Sequence, residues 1–165
     1  GGLEIVPPLV AVLREARRYP GFVAQLARTA TDIRPALGHG LLRGRWAREE
    51  LDLKKGGIVP IANLARFHAL SNGITISATL DRLVAVEEMQ ALPAETAQSL
   101  REAFTIICQV RLEHHAAKIR AGLPPDNLLR PEQLAPLART ELHEALRAVA
   151  RAQKLLGRFV PLGLS

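Results

Sequence analysis

The stretch Asp52-Leu53-Lys54-Lys55-Gly56-Gly57 joins one carboxylate, two ammonium groups and two glycines, directly before an apolar segment entered through Pro60. Paired glycines let bare amide N–H groups approach a ligand, and a helix starting just beyond turns its positive end toward the same place. An anion such as phosphate suits that arrangement. The same six residues also describe a flexible turn with solvated lysines. Downstream, Arg66 and Arg82 carry planar guanidinium groups that can clamp a phosphate or carboxylate, or instead pair with Asp52 or Asp81 and tie helices together. Asp52 is better suited to structure, capping the turn through its carboxylate or orienting Lys54.

Other chemistries lack their residues. Metal sites on helices need two ligands one turn apart, and His68, His114, His115 and His143 have no His, Asp, Glu or Cys three or four positions away. The adjacent His114 and His115 point about 100° apart on a helix, which predicts one core and one surface histidine. Cys108 has no neighbour that makes it a nucleophile and reads as buried and inert. There is no Walker A sequence and no Gly-x-Ser-x-Gly elbow, and Gly38-His39-Gly40 carries no nucleotide-loop signature. Asp32, Asp52, Asp81 and Asp126 are too scattered to supply the grouped carboxylates of metal-dependent phosphoryl transfer, so the chain does not read as a complete enzyme.

The elements that must hold these residues are helices. Pro7-Pro8 opens a first short helix with Leu9, Val12, Leu13 and Ala16 on one face, and Pro20-Gly21 is expected to stop it. A second helix is expected over about 21–31, before Pro35 and the glycines break the pattern. Pro60 starts a helix bearing Ile61, Leu64, Ala65 and His68, closed by Asn72-Gly73, and Thr79 is the expected N-cap of the next. The longest helix, over 93–121, carries Leu100, Ala103, Phe104, Ile107 and Val110 on a buried face; at 1.5 Å per residue it spans roughly 40 Å. After a turn at Pro124-Pro125-Asp126-Asn127 and a short helical turn over 131–134, the last helix runs over about 137–159. The expected fold is all-α: a helical bundle with two long antiparallel C-terminal helices and shorter N-terminal ones. The only alternating stretch, Ile74-Thr75-Ile76-Ser77, is too short for a sheet.

On these elements, Arg111 and Gln153 lie near core stripes, where each needs a partner: each other, or a loop carbonyl. Asn127 is expected to bond its own turn backbone, and Trp46 is expected to anchor the core rather than offer a platform to a base or partner.

With 165 residues and 48% hydrophobic content, one folded domain is expected. The sole methionine is Met89, so Gly1-Gly2 reads as a cut end and the chain as a piece excised from a longer protein. No apolar run suits a membrane span, and a lone cysteine suits a reducing, cytoplasmic compartment. The net charge of +6 permits a polyanionic partner, yet the excess is spread out instead of packed into a run, with residues 1–58 the more cationic part at 10 basic and 6 acidic side chains. Aromatic content of 4% leaves little to stack on bases, which makes nucleic acid an unlikely partner.

Several separate stretches carry a resemblance. Asp52-Leu53-Lys54-Lys55-Gly56-Gly57-Ile58-Val59-Pro60-Ile61, continued by Ala65-Arg66 and Ala69-Leu70, resembles the core motif of the putative nucleotidyltransferase substrate-binding domain. That helical domain is found in bacterial signalling proteins with cyclic-nucleotide-binding-like, CBS and nucleotidyltransferase domains. Thr79-Leu80-Asp81-Arg82-Leu83 resembles its Thr-x-x-Arg-Leu helix start, Arg111-Leu112 its long-helix pair, Asp126-Asn127 its following turn, and Gln153 its last-helix glutamine. The likeness covers about 36–160, with 1–35 matching loosely and His115 standing where the family commonly has Gln. The Lys-Gly-Gly core is also similar to a stretch of the uridylyltransferase of the nitrogen-regulatory PII protein.

The resemblance implies an accessory domain of a uridylyl- or adenylyltransferase-like protein in signal transduction, holding nucleotide or acceptor. Its substrate-binding residues would be Lys54, Lys55, Gly56, Gly57, Arg66 and Arg82, with Asp52, Arg111 and Asn127 in support. No cofactor or metal is expected in this chain; Mg2+ and a nucleoside triphosphate are expected for the parent protein, with a nucleotidyltransferase domain of the same polypeptide as partner. The alternative is a helical dimerisation or regulatory module without nucleotide. Apolar faces on the early helices make a homodimer one expected arrangement.

Overall fold

Along α6 (Ala94–Arg120) the buried side chains Leu100, Ala103, Ile107 and Val110 recur every three or four residues, the signature of one helix face turned to a core. The last helix, α7 (Pro136–Phe159), answers with Leu142, Ala145, Leu146, Val149, Ala152 and Leu156. The two form the most extensive helix pairing in the chain and pack antiparallel, as their lengths and short connection predict. A computed structural model describes residues 6–37 and 43–159. The Gly38-His39-Gly40 stretch falls outside the described residues.

Ahead of this pair lie α1 (Val6–Ala16), α2 (Pro20–Asp32), the single-turn α3 (Arg43–Trp46), α4 (Val59–Ser71) and α5 (Thr79–Glu88). The hub is α4: Pro60, Ile61, Asn63, Leu64, Ala65, Ala69 and Leu70 are all buried, and it packs against α1, α2, α5 and α7. Such burial around most of its circumference marks a core helix rather than a surface one. Gly73, at φ 76°, then reverses the chain, a conformation glycine adopts without steric cost. Trp46 is 3% exposed, donates Nε1–H to the Ala36 carbonyl at 2.8 Å and meets the His143 ring edge-on, so it is the expected core anchor.

Three local expectations need correcting. Pro20 begins α2 instead of ending the helix before it, because the first turn of a helix tolerates a residue without an N–H. Thr79 is the first residue of α5 and makes no capping bond; Ala78 precedes it in extended conformation. A two-stranded antiparallel ladder also exists, with Leu51 opposite Leu129 and Asp52 opposite Leu128, too short to leave a period in the sequence. We label these strands β1 (Leu51–Asp52) and β2 (Leu128–Leu129). Among the described residues no helix is long and apolar enough to cross a membrane.

Between β1 and α4, Lys54–Ile58 makes one π-helical turn: Ile58 N–H donates to the Leu53 carbonyl at 3.1 Å and Val59 N–H to that of Lys54. Such turns lodge an extra residue in a helix and re-aim its side chains. The turn is pressed against its neighbours. A Cβ on Gly57 would lie 2.8 Å from Ile107 Cγ2, and one on Gly56 2.6 Å from Ala36 Cβ. By contrast, a Cβ on Gly157 in α7 would meet nothing within 4 Å. Gly57→Ala is therefore expected to destabilise the fold by about 1–3 kcal/mol through overpacking. Gly157→Ala should stabilise it by about 0.5–1 kcal/mol through helix propensity. Urea unfolding of the two variants checks both signs, and equal effects would contradict the packing argument.

Candidate functional site: the lysine-glycine turn and the arginine pair

The Asp52 carboxylate sets the turn. Its Oδ1 accepts hydrogen bonds from the backbone N–H groups of Lys54 and Lys55 at 2.9 and 2.8 Å, the capping role its position suggests. Leu53, 1% exposed, plugs the core below, and its N–H donates to the Asn127 carbonyl at 2.8 Å. Gly56 and Gly57 are buried, and what approaches their bare backbones is the chain itself: Ala36, whose N–H donates to the Gly56 carbonyl at 2.9 Å, and Ile107. The close approach that glycine pairs permit is used here for helix packing.

Lys54 and Lys55 are exposed, and among the described residues their ammonium groups make no hydrogen bond or ion pair. Lys55 opens onto a cavity of about 320 Å³ shared with Asp32, Arg34, Ala36 and Asp52. Arg34 in that cavity escapes sequence reasoning. Its only signal is a basic residue beside Pro35 in the break after α2, and nothing local ties it to the motif.

The second cationic place is the α4–α5 contact. Arg66 Nη1 donates to Asn63 Oδ1 at 3.0 Å, and Asn63, buried, donates to the Thr29 carbonyl at 3.2 Å. Arg82 Nε donates to the Ile76 carbonyl at 2.6 Å. Burial, and next the positive charge of Arg66, lower the Arg82 pKa from its ordinary value. The two guanidinium groups are thus close enough to repel. Among the described residues neither pairs with a carboxylate, so the expected ties to Asp52 or Asp81 are not made. Arg66 lies about 16 Å along the helix from Lys55, so the six predicted binding residues divide between two places instead of surrounding one ligand atom.

The predicted supporting residues are brought together at the far end of α6. Arg111 Nε donates to Asn127 Oδ1 at 2.7 Å, and the Asn127 carbonyl holds Leu53, so the asparagine links α6 to the lysine-glycine turn instead of bonding its own backbone. Beside it, Asp126 accepts from Lys118 Nζ at 2.8 Å and from the Leu128 N–H at 3.1 Å, and lies 2.9 Å from His114 Nε2. The His114 bond, the Lys118 bond and then the Leu128 N–H hold its carboxyl well below the usual carboxylate range. Gln153 finds carbonyls at the C-terminal end of α2, donating from Nε2 to those of Ala30, in its last turn, and of Ile33, just beyond it, each at 2.8 Å. His114 and His115 do not divide into core and surface as expected: both are half-buried, and His115 Nε2 is buried without a partner among the described residues.

No three His, Cys, Asp or Glu among the described residues gather around a point where a metal ion would fit. Burial pushes the half-buried Cys108 thiol up, away from the reactive thiolate.

Because the folded Asp126 pKa lies below its unfolded value, its bonds contribute stability above the ordinary carboxylate pKa of about 3.9, lost as pH falls through the lower folded value. Asp126→Asn should lower the urea midpoint clearly at pH 7 and progressively less on acidification through pH 3. A pH-independent difference would show that the charge is not what holds this turn.

The family described as putative nucleotidyltransferase substrate binding domain matches residues 20–159, from the start of α2 to the end of α7. The match thus begins earlier than the motifs alone indicate and takes in α2. No curated protein and no solved structure matches the chain.

Proposed function

The chain belongs to the putative nucleotidyltransferase substrate-binding domain family, and from that premise we propose that it holds an anionic substrate, nucleotide or acceptor, beside a nucleotidyltransferase domain of the same polypeptide. The observation that carries this reading is the Arg66 and Arg82 pair, two like charges on the packed helices α4 and α5 with only neutral hydrogen-bond partners among the described residues. Crowded cations without a carboxylate are costly in the empty protein and favourable once a phosphate or carboxylate lies between them. Lys54 and Lys55, exposed and anchored through their backbones by Asp52, supply flexible point charges at the other end of α4. The catalytic carboxylates and Mg2+ would come with the transferase domain. This chain would contribute affinity and orientation, the entropic part of catalysis. A uridylyl- or adenylyltransferase role in bacterial signalling, in the cytoplasm, fits this assignment and the lone cysteine.

Arg66→Gln separates this role from a structural one. The unfolding free energy from urea titration should stay within about 0.5 kcal/mol of the parent, because the lost Asn63 bond is offset by relieved repulsion. The KM for nucleotide or acceptor in the transferase-containing protein should rise at least about tenfold. A loss of stability with unchanged KM would make the arginine a helix tie and remove it from the site.

A second reading, a dimerising or regulatory module, is favoured by Leu9, Val12 and Tyr19 on or beside α1, which are 54%, 64% and 66% exposed. Sedimentation velocity on Val12→Asp tests it: if this face pairs two copies, a concentration-dependent dimer of the parent chain should become monomeric. A parent monomeric at every concentration would exclude that pairing.

A further inference from the structure

Arg34 stands between two cavities. On one side it lines the space beside Lys55; on the other it lines a groove of about 710 Å³ between the end of α2 and the last turns of α7. Sites for drug-sized and cofactor-sized ligands fall in roughly the 300–1,000 Å³ range. The two cavities differ in charge. The one beside Lys55 includes the carboxylates of Asp32 and Asp52, which oppose an anion. Among the described residues the groove is lined by Arg34, Lys154 and Arg158 and by no carboxylate.

Lys154 and Arg158, four residues apart on α7, share a face, where like charges repel. Among the described residues none of the three groove cations has an ion-pair partner. The remaining walls are of another kind. Pro35 and Leu37 give an apolar side, and Ala150 and Gly157 leave the α7 side low. Between the apolar and cationic parts lies Gln153, 8% exposed and locked in orientation because Nε2 donates to two carbonyls, those of Ala30 and Ile33. Its Oε1 accepts no hydrogen bond among the described residues.

We propose that this groove between α2 and α7 is the domain's nucleoside triphosphate site. Arg34, Lys154 and Arg158 take the phosphates. Pro35 and Leu37 pack against the nucleoside, and Gln153 Oε1 accepts a hydrogen bond from a base amino group or a ribose hydroxyl. This deepens the substrate-binding reading, on which it rests, by naming the substrate and giving it a site distinct from the Arg66 and Arg82 pair, which is then free for the acceptor.

The test is calorimetric titration of the chain with ATP and with UTP at low salt, against Lys154→Ala plus Arg158→Ala and against Arg66→Gln, with circular dichroism confirming that each variant is folded. Both groove positions are exposed, so the double variant should fold. One nucleotide should bind the parent, the groove variant should lose at least about tenfold in affinity, and inorganic triphosphate should bind at least about tenfold more weakly than the nucleotide. If the groove variant binds as tightly as the parent while Arg66→Gln loses affinity, the groove is overturned and the substrate-binding reading stands. Equal affinity for inorganic triphosphate overturns the nucleoside assignment. Should neither nucleotide bind the parent at about 1 mM, the groove assignment falls, and the KM measurement on Arg66→Gln decides the broader reading by itself.

Discussion

The seating of Gly56 and Gly57 on Ala36 and Ile107 is the constraint from which the rest of the arrangement follows. A side chain at either glycine would collide with fixed atoms, one on the backbone-proximal Cβ of Ala36 and one on the β-branched, fully buried Ile107. Because the turn is wedged between the segment after α2 and the middle of α6, three consequences are coupled. α4 leaves the turn in one direction, Lys54 and Lys55 are forced outward, and Arg34, two residues before Ala36, shares a cavity with Lys55. The Asp52 cap, the Leu53 to Asn127 bond and the short ladder between β1 and β2 then fix the same turn from the other side. A motif whose composition suggests looseness is thus among the most constrained places in the fold.

This explains which parts were legible in the sequence. Helices with an apolar face, such as α6 and α7, announce themselves through Leu100, Ala103, Ile107 and Leu142, Leu146, Val149, because burial of one face writes a period into the chain. Features that depend on distant partners leave no period. The glycine pair reads identically whether its neighbour is a phosphate or Ile107, and only the fold distinguishes them. Asn127 reads as a turn residue, yet its side chain serves Arg111 and its carbonyl serves Leu53. Pro20 looked like a stop because proline both ends and begins helices, and local sequence does not say which.

The candidate site was legible to a different degree. Lys54, Lys55, Arg66 and Arg82 are visible as cations near a motif, but their division into two places follows from the length of α4. Arg34 and Lys154 belong to one groove although 120 positions separate them, a relation that no spacing rule reaches. Gln153 was expected to need a partner, and the carbonyls of Ala30 and Ile33 supply it; that its oxygen then stays available depends on the amide being held from one side only.

The electrostatics give this domain its character. A semi-buried cation is ordinarily matched by a carboxylate, and Arg101 with Glu87 and Lys118 with Asp126 follow that pattern here. Among the described residues the half-buried Arg66 and Arg82 and the exposed Arg34, Lys154 and Arg158 have no such match, although Asp and Glu are plentiful elsewhere in the chain. Matching them would relieve repulsion, yet each matched pair would oppose an incoming anion with its own carboxylate. An anion that enters provides the missing counter-charge and, by linkage, makes the occupied bundle more stable than the empty one. On the proposed reading the bundle is complete in packing while its unmatched cations stay open to an anionic substrate, which would supply their counter-charge on entering.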